Sequence, residues 1–388
     1  MFVLISSLTF LIAHFGLWIA IYNRVNGYHL PRRIVKPLMK SSLALAIVFP
    51  IYLLAENGLS LGLPEWGSIF SWQASWLLNS YFCLVYSSYL WLGVPWLLAR
   101  PLLRRNWVET RRTTRTIAMK TKVNSELALT SKCRWFSKIP LNQIFDLSVE
   151  ELDLPVPGLP PQLDGYRIAH LSDVHLTGDV DPSFTRQVIE IANQWKPECY
   201  ALTGDLIDNE ACLSWMDPIF RDAEAPDGRF FVLGNHDARM KSPEAIRSSM
   251  VSAGWTDLGG KELSISFRNE RVTMIGNEAP WFPHTVVPTS TKDQFCMMLS
   301  HSPDQIRWAR QHQVHLMIAG HTHGGQGRLP LIGPVLSPSI YGSRFASGQF
   351  YLAPTTMHVT RGLSGTRLMR INCRPELSLL TLRSDHPN

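Results

Sequence analysis

The stretch that decides the fold is YRIAHLSDVH, residues 166–175, an apolar run that ends in an aspartate and a histidine. The same pattern, an apolar run followed by aspartate, asparagine or histidine, recurs in ECYALTGD (198–205), RFFVLGNHD (229–237), QFCMMLSH (294–301) and VHLMIAGHTH (314–323). Each run has the length and composition of a buried strand, and helical patterns separate several of them. This alternation predicts an α/β domain that carries its site residues at the carboxyl ends of its strands.

Helix and turn signals support the same interpretation. Asp181 as N-cap, followed by Pro182, predicts a helix that runs to about Trp195. SPEAIRSSMVSAG (242–254) begins with the same kind of signal, a serine followed by a proline. LSISFRNERVTMIGNE (263–278) predicts a hairpin that turns at residues 268–271.

The polar residues at the strand ends are the ligand types of a two-metal hydrolytic centre. Carboxylates and imidazoles with one amide, and without a thiolate, suit manganese, iron or zinc better than a cysteine-dominated structural zinc site. Burying so many of them together is costly unless a cation compensates. The candidates are Asp173, His175, Asp205, Asn235, His236, Asp237, His301, His321 and His323.

Charge divides the chain into two parts. Residues 1–138 contain 16 basic and 4 acidic side chains, and the remainder contains 21 basic and 27 acidic ones. A uniformly basic enzyme would indicate a nucleic-acid partner. The asymmetry instead assigns the positive charge to a separate element, and no nucleic acid is predicted as a partner.

That element contains three charge-free apolar runs, at 2–22, 43–55 and 74–99. The first and third reach the roughly 20 residues that cross a hydrocarbon core, whereas the second is short and contains Pro50. A cleaved signal peptide is not indicated, because the first positive charge follows the apolar run, at Arg24. We therefore expect about three spans; the alternatives are a buried core helix for any one run and a re-entrant second run.

The loops predict the orientation. Basic residues lie between the first and second runs and after the third, while Glu56 and Glu65 are the charged residues between the second and third. Basic loops stay in the cytoplasm, so we expect a multi-pass protein of the inner membrane with a cytoplasmic catalytic domain. The basic stretch after the third run could also attract anionic lipid head groups, or could serve only as a topology determinant. Six scattered cysteines without a CxxC pair fit a reduced cytosolic domain.

Three regions follow from these patterns. Residues 1–103 are predicted to form a helical transmembrane domain, and residues 104–155 a basic linker or peripheral arm without sustained periodicity. The α/β domain is expected at 156–388, because the proline and glycine cluster PVPGLPPQLDG (155–165) marks a boundary.

The five blocks resemble the calcineurin-like metallophosphoesterase family, whose pattern is DxH, GDxxD, GNHD or GNHE, a lone histidine, and GHxH. The resemblance runs from about Leu163 to the C-terminus, and GHTHGGQ and SHSPD are similar to a bacterial branch with N-terminal transmembrane segments. It implies a four-layer αββα sandwich. The matching positions here are 173–175, 204–208, 234–237, His301 and 320–323.

The resemblance also implies two divalent metal ions, most readily manganese, with iron or zinc as alternatives, and a bridging hydroxide that attacks phosphorus. His236 would protonate the leaving oxygen or stabilise developing charge, oriented by Asp237. Asp208 would hold a ligand histidine, or would simply form a turn. The implied ligands are Asp173, His175 and His323 for one metal and Asn235, His301 and His321 for the other, with Asp205 bridging both.

The expected function is hydrolysis of a phosphomonoester, phosphodiester or pyrophosphate. A lipid or lipid-linked substrate is favoured, because tethering raises the local concentration of such substrates at the bilayer. Two alternatives stay open: a phosphodiesterase or phosphatase for soluble nucleotides, and a membrane scaffold or sensor that binds metal without turnover. The complete ligand set argues against a degenerate domain that keeps only the fold.

Overall fold

The computed structural model describes residues 2–28, 30–57, 76–99, 108, 111–123, 125–282, 287, 294–365 and 367–384. The chain divides into two compact units. The helical unit comprises Met1–Arg105 and Pro338–Arg344, and the sandwich unit comprises Asn106–Ser337 and Phe345–Asn388. The predicted boundary between residues 103 and 104 lies outside the described residues.

The helical unit contains four described helices and one π-helical turn. Within them, two segments are long and apolar enough to cross a membrane, Ser7–Gly27 and Arg33–Leu53. These helices indicate membrane association. The elements are α1 (Phe2–Gly27), α2 (Arg32–Asn57), α3 (Trp76–Ser88), the π-helical turn Tyr89–Gly93 and α4 (Val94–Leu97).

The count of spans differs from the three that the sequence predicts. The second apolar run qualifies because its helix begins at Arg32, well before the run itself. The third run is not among these candidates within the described residues, where α3, the π-helical turn and α4 follow one another from Trp76 to Leu97.

The sandwich unit is built from short strands and helices. Its strands are β1 (Arg112–Ala118), β2 (Asp146–Val156), β3 (Arg167–Leu171), β4 (Cys199–Thr203), β5 (Arg229–Val232), β6 (Thr256–Asp257), β7 (Glu262–Phe267), β8 (Glu270–Asn277), β9 (Phe295–Ser300), β10 (Leu316–Ala319), β11 (Arg328–Leu329), β12 (Gly333–Pro334), β13 (Gly348–Leu352), β14 (Thr355–Val359) and β15 (Glu376–Ser384). Its helices are α5 (Met119–Lys122), α6 (Ser131–Phe136), α7 (Ser183–Gln194), α8 (Leu213–Phe220), α9 (Pro243–Ser252) and α10 (Ile306–Gln311).

The strands form two large sheets and a small hairpin. The first sheet has the order β1-β2-β15-β3-β4-β5-β6, and the second has the order β13-β14-β10-β9-β8-β7. Strands β3 to β6 run parallel in the first sheet, and β8, β9, β10 and β14 run parallel in the second. β11 and β12 pair as a separate antiparallel hairpin.

Two apolar layers hold this unit together. The two sheets face each other across a core that includes Ile168 and Val232 of the first and Met274 and Leu299 of the second. Helices α7 to α9 cover the other face of the first sheet. The mixed α/β sandwich is therefore confirmed. Beside the second sheet, the described residues place the six-residue helix α10 against β14.

The local predictions in this unit hold well. α7 begins at Ser183, whose amide donates to Asp181 Oδ1 at 2.9 Å, and α9 begins after Ser242, which caps it through Ala245 N–H. The predicted hairpin is β7–β8, and its turn residues Arg268 and Asn269 both have positive φ. That geometry matches the two-residue turns that hairpins prefer.

The segment predicted as a linker or arm contributes two strands to the first sheet. β2 lies between β1 and β15, and it pairs with β15 in parallel over nine residues. The sequence signal is weak there because β1 is exposed at nearly every position, as expected of an edge strand. A strand that pairs with the chain's last strand is also invisible to local periodicity.

Glu150 of β2 anchors this part of the sheet. Its carboxylate accepts from Arg112 Nε and Thr114 Oγ1, both at 2.6 Å, and from Arg361 Nη2 at 2.5 Å. Arg361 in turn contacts Glu376 at 2.7 Å. Burial alone would raise the pKa of Glu150, but Arg112 and Arg361 hold it well below its ordinary value.

We expect Glu150→Gln to lower the free energy of unfolding by about 3–5 kcal/mol, because it removes the negative charge that faces the largely buried guanidinium of Arg361. Urea unfolding of the full-length protein in detergent, followed by circular dichroism, measures this. The matched control is Glu151→Gln on the exposed face of the same strand, which should stay within about 0.5 kcal/mol. Equal effects of the two substitutions would contradict the role of this ion pair.

Candidate metal centre

The two sheets deliver the predicted ligands to one place. Asp173 and His175 follow β3, and Asp205 follows β4. His301 follows β9 of the second sheet. Parallel neighbours end at the same edge, so the carboxyl ends of both sheets converge. Asn235 and His236 follow β5, and His321 and His323 follow β10.

The chain turns sharply where it presents these side chains. Five of the predicted ligands have positive φ, between 47° and 69°. Non-glycine residues rarely adopt this conformation, and its concentration at one site indicates a functional constraint. Gly204 has φ 83°, and a Cβ there would stand 2.7 Å from His301 Nδ1. The five ligands are Asp173, His175, Asp205, His321 and His323.

One cluster of ligand atoms surrounds Asp173 and Asp205. His175 Nε2 lies 3.9 Å from Asp173 Oδ1 and 3.5 Å from Asp205 Oδ2, and His323 Nε2 lies 3.7 Å from Asp173 Oδ1. Their ligand atoms all fall within 4.8 Å of one another. The four side chains could hold one metal ion.

A second cluster lies on the other side of Asp205. His301 Nε2 is 3.4 Å from Asp205 Oδ2 and 3.1 Å from His321 Nδ1. The side-chain amide of Asn235 joins this cluster, 3.1 Å from His301 Nε2. Asp205 Oδ2 is therefore close to an imidazole of each cluster.

Hydrogen bonds on the far side of the rings set their orientation. His175 Nδ1 donates to Asp208 Oδ2 at 2.6 Å, and His301 Nδ1 donates to the Thr203 carbonyl at 2.7 Å. Each bond leaves the Nε2 lone pair directed into the site. Metal-ligating histidines are held in this way.

His236 is oriented by Asp208, and the sequence interpretation that Asp237 orients it is wrong. Asp208 Oδ1 pairs with His236 Nδ1, while its other oxygen holds His175. Asp237 is buried and instead accepts from the backbone amides of Leu206 and Gly234. Asp208, the second aspartate of GDxxD, thus orients two histidines. Asp237, the aspartate of GNHD, binds backbone amides of two loops.

The electrostatics of the site depend on burial and on mutual charge. Burial lowers the pKa of His321 and of His323 well below the usual range, which keeps both rings neutral. Burial alone would raise the pKa of Asp205, but His301 and its neighbours hold it well below normal. Burial and the charge of Asp205 raise the pKa of Asp237 to about 7. The site therefore combines a carboxylate with two neutral imidazoles. Burial opposes protonation of the other two, but the hydrogen bond to Asp208 raises the pKa of His175, and the charge of Asp205 raises the pKa of His301 to about 9. Metal binding would displace those protons.

The donor set fits a pair of divalent cations. The buried atoms without a hydrogen-bond partner among the described residues include four at this site: Asp173 Oδ1, His175 Nε2, Asp205 Oδ2 and His321 Nε2. Buried polar atoms are almost always satisfied. Since these four converge on one region and offer lone pairs, cations are the partners that would satisfy them.

Two residues at the site escaped the sequence analysis. Arg239 Nη1 lies 2.9 Å from His236 Nε2 and is largely exposed. Trp281 lies against the rings of His301 and His321, with centroids 5.3 and 5.0 Å apart. The position of Arg239, two residues after the end of the GNHD block, was a usable signal, because a cation there suits a phosphate. Trp281 lies far from every motif, and nothing in the sequence pointed to it.

Comparison with known proteins agrees with this geometry. A family model described as calcineurin-like phosphoesterase matches residues 166–325. The metallophosphoesterase YkuE of Bacillus subtilis is 32% identical over 240 residues, which cover 58% of this chain and 82% of that protein. The phosphodiesterase YaeI of Escherichia coli is 29% identical over 224 residues, 56% of this chain and 82% of that protein. The UDP-2,3-diacylglucosamine pyrophosphatase LpxG of Chlamydia trachomatis is 22% identical over 297 residues, 60% of this chain and 88% of that protein.

The relative from Bacillus subtilis is aligned over most of its own length, and the family model covers the segment that holds all five blocks. The family uses a dinuclear divalent metal site, and the two ligand clusters on either side of Asp205 are consistent with one. The chain therefore belongs to the calcineurin-like phosphoesterase family and is a metal-dependent phosphoester hydrolase.

Proposed function

We propose that this chain is a membrane-anchored phosphoesterase with two divalent metals, most readily manganese, that cleaves a lipid or lipid-linked phosphoester. The observation that carries the metal centre is the position of Asp205, whose Oδ2 lies 3.5 Å from His175 Nε2 and 3.4 Å from His301 Nε2. A single carboxylate oxygen between two imidazole clusters is suited to bridge two cations.

The ligand assignment follows from the two clusters. Asp205 would bridge, and Asn235 would turn its oxygen toward the imidazoles and its amide nitrogen away from them. When bound, two such cations activate water as a nucleophile and stabilise the attacking and leaving oxygens. One metal would be held by Asp173, His175 and His323, and the other by Asn235, His301 and His321.

His236 is the proposed proton donor to the leaving oxygen. Its Nδ1 is held by Asp208, so Nε2 would face the substrate once Arg239 moves from that nitrogen to a phosphate oxygen. Arg239, 2.9 Å from that nitrogen, would bind a phosphate oxygen and align the ester beside His236. Trp281 covers one side of the imidazoles and limits water there.

The location and substrate are inferred from the helical unit. Two candidate spans support anchoring, and the basic loops support a multi-pass arrangement in the inner membrane with the sandwich unit in the cytoplasm. A relative is named for a pyrophosphatase of a diacylated, nucleotide-activated sugar. Both observations support a phosphoester with acyl chains as the substrate. A reporter fused to the C-terminus should be active only in the cytoplasm; periplasmic activity would overturn the orientation.

Activity should depend on divalent metal. We expect full-length protein in detergent, loaded with Mn²⁺, to hydrolyse bis-p-nitrophenyl phosphate or its monoester, and chelator to abolish turnover until Mn²⁺ is restored. Saturating metal should also raise the thermal midpoint, because a ligand at 100 times its Kd adds about 2.7 kcal/mol of stability. Bound metal without hydrolysis would favour the scaffold alternative. Mass spectrometry of membrane-lipid extracts before and after incubation tests the substrate; a change confined to soluble nucleotides would defeat the lipid proposal.

A further inference from the structure

We propose that the sandwich unit presents a surface that docks onto an anionic lipid bilayer beside the metal centre. Three segments form this docking surface: residues 129–142, the β11–β12 hairpin with its flanks at 327–336, and residues 367–374. The inference deepens the proposed function, and it rests on that function for the identity of the reaction.

Backbone contacts join the three segments into one surface. Ile371 forms bridges with both Asn142 and Gly327. The amide of Arg328 donates to the Ile371 carbonyl at 3.0 Å, and the amide of Gln143 donates to the Arg370 carbonyl at 2.9 Å. Residues 367–374 therefore lie between the other two segments.

Large apolar side chains on this surface point into solvent. Leu331 is 103% exposed, and Leu141 is 76% exposed. Scattered single hydrophobic residues are ordinary on soluble proteins, but a group of them on adjoining segments marks an interaction site. The group comprises Trp135, Leu141, Leu329, Leu331, Ile332 and Met369.

The backbone holds the two most exposed leucines in an unfavourable conformation. Leu331 has φ 64° at the hairpin tip, where Ile332 N–H donates to the Pro330 carbonyl at 2.8 Å in a tight three-residue turn. Leu141 has φ 66°. Positive φ is strained for bulky residues, and within the described residues neither side chain gains burial in return. Insertion into an apolar phase would supply that gain.

Charge identifies the apolar phase as a bilayer. Residues 127–145, 323–337 and 359–375 contain no aspartate or glutamate and eight lysine or arginine residues. Five of these are exposed on the surface itself: Lys132, Arg134, Lys138, Arg367 and Arg374. Lys132 and Arg134 pair with Asp179 and Glu126 outside these ranges. Apolar side chains bordered by basic ones are typical of segments that lie in a membrane interface with anionic lipid.

The surface is connected to both the site and the helices along the chain. β11 begins five residues after the proposed ligand His323, and the hairpin continues directly into Pro338–Arg344 of the helical unit. A docked hairpin would therefore bring the loop that carries His323 to the lipid head groups. A phosphoester at that depth could be cleaved while its acyl chains stay in the membrane.

The test places an environment-sensitive NBD label on the hairpin tip. The full-length protein carries Leu331→Cys in a Cys83→Ser background, since Cys83 is exposed and the other cysteines are buried. It is reconstituted in vesicles of phosphatidylcholine and phosphatidylglycerol in equal parts. The matched control is Val251→Cys, an exposed apolar position on α9 outside the surface.

We expect a blue-shifted emission at position 331 and loss of roughly half of it when nitroxide-labelled lipids are included, since interfacial side chains reach about 5–10 Å into the head-group boundary. Position 251 should show neither. Charge reversal by Lys138→Glu and Arg374→Glu should weaken the quenching in these vesicles and not in pure phosphatidylcholine. A label at 331 that stays in water, or that is blue-shifted but not quenched by lipid, would overturn the proposal; the second result would indicate a protein partner.

Hydrolysis of bis-p-nitrophenyl phosphate by the same labelled proteins separates this inference from the proposed function. Turnover without quenching at 331 refutes the docking surface and keeps the enzyme. Quenching at 331 in protein that never turns over substrate keeps the surface and refutes the proposed reaction. Turnover that matches the unlabelled protein also shows that the Leu331→Cys variant is folded.

Discussion

Asp205→Asn is expected to lower turnover of bis-p-nitrophenyl phosphate by about 10³-fold or more, because a metal pair supplies several kcal/mol of transition-state stabilisation and about 4 kcal/mol corresponds to that factor. The substitution keeps the size of the side chain and keeps an acceptor for the His236 amide, which Asp205 Oδ1 binds at 2.7 Å. It removes the charge of the one carboxylate that is near both imidazole clusters. The loss should therefore come from the metals and not from unfolding.

Metal analysis by inductively coupled plasma mass spectrometry is the deciding measurement. We expect two metal equivalents in the wild-type protein and one or none in Asp205→Asn. The control is Asp222→Asn, the same chemical change at an exposed carboxylate outside the site, which should leave metal content and turnover unchanged. Two bound metals in Asp205→Asn would show that Asp205 does not bridge.

His236→Ala should have the second largest effect, a loss of about 10²–10⁴-fold in turnover with both metals retained. His236 contacts Asp208 and Arg239, and neither of its ring nitrogens belongs to the orphaned set of buried atoms. Its loss should therefore leave both clusters intact. His312→Ala, a partly exposed histidine at the end of α10, is the control with the same deletion.

The leaving group distinguishes a proton donor from a merely structural residue. A p-nitrophenolate departs without much help, whereas an alkoxide needs a proton, so His236→Ala should harm alkyl esters more than nitrophenyl esters. Asp208→Asn should show the same preference for nitrophenyl esters, because it weakens the orientation of His236. The preference should be smaller, because the substitution also weakens the orientation of His175, which lowers turnover of both kinds of ester. An equal loss on both kinds of ester would contradict the assignment of His236 as proton donor.

Most of the candidate metal centre could be predicted from the sequence because its proposed ligands occupy fixed positions after apolar strands. Asp173 and His175 follow such a strand within four residues. A short apolar segment of this composition has few conformations other than a buried strand. The partner of His236 could not be predicted. Asp237 is adjacent in sequence and Asp208 is 28 residues away, and only the loop geometry selects Asp208.

Prediction from the sequence was least successful where the structure depends on pairing between strands that are distant in the chain. β1 and β2 fall in the segment predicted as a linker or peripheral arm. β1 carries no apolar face, and β2 pairs with β15 more than two hundred residues later. Two candidate spans lie among the described residues where about three were expected, and the third apolar run changes there from regular helix to a π-helical turn at Tyr89. The exposed leucines of the hairpin looked like ordinary apolar residues until their exposure and backbone conformation were known.

The sequence by itself determined the chemistry of this protein, since ligand type and strand-end placement are local properties and five such blocks in order specify a phosphoester-cleaving metal centre. The tertiary structure alone decided which aspartate serves His236, how far the sandwich extends toward the N-terminus, and which apolar side chains are left in solvent. Those three outcomes depend on contacts between segments distant in the chain, where the free energy of pairing and burial is a property of the folded whole.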